Sequence, residues 1–97
     1  MLPAGALVVV LSTFLDDEAA RVATLWRGGG HRVIAVDVLP PPAFEGLDER
    51  RGLAARLVLL ERADRIRRLV AAGVEPLRWA AGDRDAVLRE LLRPVRR

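Results

Sequence analysis

The sequence predicts an α/β domain ordered β-α-β-α-β-α around a three-stranded parallel sheet, and three observations predict it. Val-rich apolar runs at Ala6–Leu11 and Arg32–Leu39 lack alternation, as strands covered on both faces do. Helical patterns separate these runs from each other and from a third short run at Val74–Trp79. Glycine closes each of the first two helical stretches, at Gly28–Gly30 and at Gly73. Strands alternating with helices imply right-handed crossovers and a parallel sheet.

The first strand, Ala6–Leu11, ends at Ser12-Thr13-Phe14-Leu15. Asp16-Asp17-Glu18 then opens a helix with negative charge at its dipole-positive end. Leu15, Ala19, Val22, Ala23 and Trp26 read as its apolar stripe. The Gly28-Gly29-Gly30 run follows that helix instead of preceding one, so it reads as a helix cap and not as a phosphate loop. In the second strand Asp37 is the odd residue, expected in water at the strand end or paired with an arginine. Pro40-Pro41-Pro42 forces an extended exit.

A long helix is expected from about Leu47 to Ala72, with Leu53, Leu57, Leu60, Ala63, Ile66, Leu69 and Val70 on one side. Its other side carries Glu61–Arg65 and Asp64–Arg68, acid before base at i,i+4. Arg62, Arg65, Arg67 and Arg68 therefore read as a solvated, ion-paired face. In the third strand Glu75, Pro76 and Arg78 resist burial, which places it at a sheet border. Gly82-Asp83 starts a last helix, Arg84 to Arg93, stopped by Pro94.

Composition removes much chemistry. With 97 residues the chain is one small domain, 1–97. It contains no Cys, and all 16 basic residues are Arg, so thiolate chemistry and lysine Schiff bases are excluded. One Ser, two Thr and one His remain beside 13 carboxylates. A Ser12–His31–Asp37 triad can be spelled, but His31 precedes its strand and Ser12 follows one. About 20 Å of strand separates them, and His31 reads as a loop or surface residue. No catalytic residue and no cofactor is expected. A net charge of +3 is ordinary for solubility, and the Arg run has no interleaved aromatics for base stacking, so no nucleic-acid partner is expected. Ala4–Leu15 is too short to cross a bilayer, which takes about 20 residues, and lacks a cleavage site before Asp16. The expected location is cytoplasmic.

The elements do not balance. Two strands are coded for burial on both faces, but three helices cannot wrap them. In the order 1-2-3 both crossover helices cover one face, and the first strand becomes an open apolar edge. The order 2-1-3 shields it better and leaves the sheet very small. Either way the chain reads as half of a doubly wound domain, with Leu7, Val8, Val9 and Val10 as the interface to whatever completes it. Open α/β sheets bind ligands beyond their strand C-termini. Ser12, Thr13, Asp16, Asp17 and Asp83 form the candidate ligand rim there, for a small molecule or nucleotide, although the four acids Asp16, Asp17, Asp83 and Asp85 read more readily as helix caps.

The order of features carries a resemblance over Ala6 to Trp79: a strand ending in Ser12-Thr13-Phe14, Gly30-His31 leading a Val-rich strand, and Arg56 to Arg62 as Arg-Leu-x-x-Leu-Glu-Arg. In these it resembles the C-terminal half of the von Willebrand factor A-like bacterial proteins of domain-of-unknown-function family fifty-eight, associated with MoxR-type AAA+ ATPases. The resemblance implies the last three strands of a Rossmann-like, 3-2-1-4-5-6 sheet. The half-domain reading makes a second copy or the missing N-terminal half the expected partner, and the resemblance adds a MoxR-type ATPase. That fold's metal-ion-dependent adhesion site uses an Asp-x-Ser-x-Ser loop and an Asp after the fourth strand. Here the loop is absent and Thr13 stands at the Asp position, so no metal site is expected.

Overall fold

A computed structural model describes residues 5–79 together with Asp85, Leu88, Arg89, Leu92 and Arg93. Strand β1 (Leu7–Ser12) leads to helix α1 (Glu18–Gly28), strand β2 (Arg32–Asp37), helix α2 (Glu49–Ala71) and strand β3 (Glu75–Arg78). The three strands form an all-parallel sheet in the order β1-β2-β3. The last helix expected over Arg84–Arg93 falls mostly outside the described residues, of which Asp85, Leu88 and Arg89 are helical.

Each element starts and stops for local reasons. Asp48 caps α2, its Oδ1 accepting from the Arg51 N–H at 2.8 Å. Helix α1 runs through Gly28, and Gly30, at φ +90°, turns the chain back under it into β2. That return buries His31, whose ring meets Trp26 edge-on at 5.4 Å between centroids. His31 lies in the α1–β2 connection, as a loop residue would, but not at the surface: a three-glycine turn tight enough to reverse the chain carries the next side chain under the helix end. Gly73, at φ +93°, ends α2, and its carbonyl accepts from Arg27 Nε at 3.2 Å.

The two crossover helices share one face of the sheet. Val33 and Ala35 of β2 point into that layer and pack with Phe14, Ala23, Leu69 and Val74 into a buried cluster, with Val8 and Val10 of β1 packed against it. On the other face Ile34 and Val36 are buried, and Arg32 and Glu75 form a two-point ion pair at 2.7 and 3.0 Å. Arg93 joins them there. Its carbonyl accepts from Arg32 Nη1 at 3.1 Å, and its guanidinium lies 3.6 Å from Glu75.

Strand β1 departs from its expected double-sided burial. Leu7, Val9 and Leu11 are 43%, 36% and 61% exposed, on the same face as buried Ile34 and Val36. The reason is position. Strand β2 has a neighbour on each side, whereas β1 pairs with β2 alone among the described residues. Strand β3 is the other border, as Pro76 requires.

Helix α2 departs as well. Its inward stripe is Arg62, Ile66 and Leu69, while Leu53, Leu57 and Leu60 are each more than half exposed. At 3.6 residues per turn Leu53 sits about 160° around the helix from Leu69, so the expected single stripe is two. A 23-residue helix is also about 34 Å long against about 20 Å for a six-residue strand. The first turns of α2 accordingly overhang the strand C-termini, beside the Pro40–Phe44 segment. Arg56 lies over the Phe44 ring there, 5.6 Å from its centroid.

The Arg32–Glu75 pair gives a pH signature. Hydrogen bonds from Arg32 hold the Glu75 carboxyl below its ordinary value of 4.5, outweighing the opposing effect of burial, with Arg32, Arg93 and Arg27 adding attraction. A lowered carboxylate stabilises the fold above its unfolded value and loses that contribution as pH falls through the folded one. Urea midpoints are therefore expected to hold steady above pH 4.5 and to fall below it. Glu75→Gln is expected to lower the neutral-pH midpoint and to flatten that acid limb.

Candidate functional site

The C-terminal ends of the strands gather most of the expected ligand rim, with Ser12 and Thr13 half-buried and Asp16 and Asp17 exposed. Ser12 and Asp37 are register partners on the helix-covered face. The Ser12 Oγ accepts from the Phe14 N–H at 3.0 Å, closing a turn in which Phe14 takes a left-handed φ of +55°. A phenylalanine pays a steric penalty there, and its side chain is 1% exposed, so burial in the core offsets the strain. Asp16, one residue before the N-cap, closes the turn into α1, its Oδ1 accepting from the Glu18 N–H at 3.0 Å. Asp17 stands at the N-cap position without a side-chain capping bond and accepts from Arg65 Nε at 2.7 Å instead. That bond holds the Asp17 carboxyl below its ordinary value. Asp83 lies outside the described residues.

What the sequence reading missed is the pair of arginines that organises this end. Arg62 ion-pairs with Asp37, and its Nε donates to the Thr13 carbonyl at 2.8 Å. Arg65 Nη1 donates to the Phe14 carbonyl at 3.0 Å. The two side chains are 13% and 12% exposed, which corrects the solvated face expected for them; only Arg67 and Arg68 behave that way, both paired with Asp64. The signal was in the spacing. Arg62 precedes Ile66 by four and Leu69 by seven, so it falls on the buried stripe.

Asp37 thus takes the arginine partner foreseen as one of its two fates, and its Oδ1 also accepts from the Leu39 N–H at 3.0 Å. The rim is a fastened turn, in which the Ser12 hydroxyl and one carboxylate oxygen each of Asp16 and Asp17 are engaged by the chain. This donor set does not fit the cation of an adhesion site: the Ser12 hydroxyl and the Asp16, Asp17 and Asp37 carboxylates each serve an N–H or a guanidinium. Among the described residues no group of three or more His, Asp or Glu is placed to hold a metal ion. His31 and Ser12 lie at opposite ends of the sheet, as expected, and no triad forms.

The second feature is the outer edge of β1. Of the four expected interface residues, Leu7 and Val9 are exposed, whereas Val8 and Val10 are half-buried against the helix layer. Leu11, which was not among them, is the most exposed of the strand. Backbone N–H and C=O groups along this edge have no strand beside them among the described residues. No helix among the described residues is long and apolar enough to cross a membrane. No family model, curated protein or solved structure matches the chain.

Proposed function

We propose that this chain is a non-catalytic protein–protein interaction module that completes its sheet along β1. The observation that carries the reading is the exposed apolar edge: Leu7, Val9 and Leu11 open to solvent on a strand paired on one side only among the described residues. Long, flat, apolar edges are templates for strand addition, and soluble proteins ordinarily blunt them with charge or proline. Leu7–Ser12 contains neither.

The partner is a second copy of the chain or the missing half of the same domain. For a second copy, two-fold antiparallel pairing centred on Val9 sets Leu7 against Leu11 of the other copy. All three exposed side chains then meet apolar partners in a continuous six-stranded sheet. The resemblance to von Willebrand A-like proteins supports the same edge, since there the corresponding strand lies inside a larger sheet. It also nominates a MoxR-type ATPase as a further partner.

Size-exclusion chromatography with light scattering tests the reading. Twice the 10.7 kDa chain mass is expected at micromolar concentration, and a well-behaved monomer that leaves the β1 edge open would overturn the copy-to-copy form.

A further inference from the structure

Beside the fastened turn lies a cavity of about 210 Å³ between α2 and the C-terminal ends of β2 and β3. Phe14, Ile66, Leu69 and Val74 supply apolar lining, and Asp37 and Arg78, paired in register at the ends of β2 and β3, supply its charged lining. We propose that this cavity binds a small apolar carboxylate, such as an aromatic or short branched acid. The walls set the size. A cavity of about 150 Å³ lined by Leu, Ile and Phe takes benzene, so this one accommodates a ring-sized body with its head group toward the mouth.

The charge of the head group follows from the partners already made. Asp37 is neutralised by Arg62, which also bonds the Thr13 carbonyl. Arg78 shares the helix-covered face as the register partner of Asp37, and its side chain makes no ion pair or hydrogen bond with any described residue. Taken together, Asp37, Arg62 and Arg78 leave one positive charge uncompensated at the mouth. A carboxylate meets it with a two-point, charge-assisted hydrogen bond, which guanidinium geometry favours. An amine of the same shape would set its own charge against Arg78.

The site is separate from the interaction edge. Cavity residues come from the turn after β1, from α2 and from β2 and β3, and no residue of β1 lines it. Failure of one reading therefore leaves the other standing.

The test is a two-dimensional NMR titration of the intact chain with benzoate, benzyl alcohol and benzylamine, repeated on Arg78→Gln. Saturable benzoate shifts are expected at Phe14, Ile66, Leu69 and Val74, with benzyl alcohol weaker and benzylamine silent. Arg78 is exposed on a border strand, so Arg78→Gln keeps the fold. It is expected to weaken benzoate about tenfold, as loss of a hydrogen bond to a charged group does. Ile66→Phe, which fills the cavity, is expected to abolish the shifts in a chain whose remaining spectrum stays dispersed. The proposal is overturned if benzoate gives no saturable shift in the millimolar range. Equal binding of benzoate and benzyl alcohol, or unchanged benzoate affinity in Arg78→Gln, overturns it equally.

Discussion

Arg62→Ala is expected to destabilise the chain by about 3 kcal/mol, because it strands a largely buried carboxylate. The substitution leaves Asp37 facing the apolar layer without its counter-ion and the Thr13 carbonyl without its donor. Removing one partner of a buried pair is costly for this reason, whereas removing both need not be. Against a total of about 5–15 kcal/mol for a native domain, the loss is large. In thermal melts it corresponds to a fall of about 12 °C or more for a chain of this size. The double variant Arg62→Met, Asp37→Asn is expected to recover much of the loss, and a double-mutant cycle followed by urea denaturation measures the coupling. If Arg62→Ala melted within a degree or two of the parent, the clamp would be a surface ornament.

Val9→Asp is expected to dissociate the assembly while leaving the protomer folded. Val9 sits at the centre of β1, 36% exposed and on the open face, so the change costs the isolated protomer little packing. In a two-fold strand pair the same change sets two carboxylates against each other across the axis, within about 5 Å. An unpaired charge buried in that way opposes association strongly, and a weakening of at least about a hundredfold is expected. Light scattering across a dilution series reads it. Val9→Thr, which retains β-branching without charge, is expected to keep most of the assembly and separates charge from mere loss of apolar area. A Val9→Asp chain with the parent mass at every concentration would remove β1 from the interface.

Much of this fold is legible in the sequence because its signals are local. The Val-rich runs, the Asp16-Asp17-Glu18 helix start, the glycine turns and Pro76 at a border each act within a few residues, and the elements fall where they point. The choice between the 1-2-3 and 2-1-3 orders was open, since nothing in a strand's own residues names its neighbour. The structure has β1-β2-β3, and with it the bare edge that the first order entails.

Apolar content alone did not distinguish β2, covered on both faces, from β1, which carries the same Val-rich run with one face open. Leu53, Leu57 and Leu60 share the apolar character of Ile66 and Leu69, but helical rotation sets them on nearly opposite sides. Arg62 and Arg65 were read by charge type as solvated, while their spacing from Leu69 placed them against the β1–α1 turn. At the candidate rim, Ser12 ends β1, and Asp16 and Asp17 lie in the turn that follows it. Their oxygens serve the turn itself, because a short side chain near free N–H groups bonds to them before it waits for a ligand.

The central claim is that the outer edge of β1 is a pairing surface, and amide hydrogen exchange reads that edge directly. The N–H groups of Leu7–Ser12 divide into those that face β2 and those that face away. In the intact chain at micromolar concentration the account predicts slow exchange for both sets, with the outward set becoming fast on dilution or in Val9→Asp. Outward amides that exchange at the unprotected rate at every concentration, beside protected β2-facing neighbours, would contradict it.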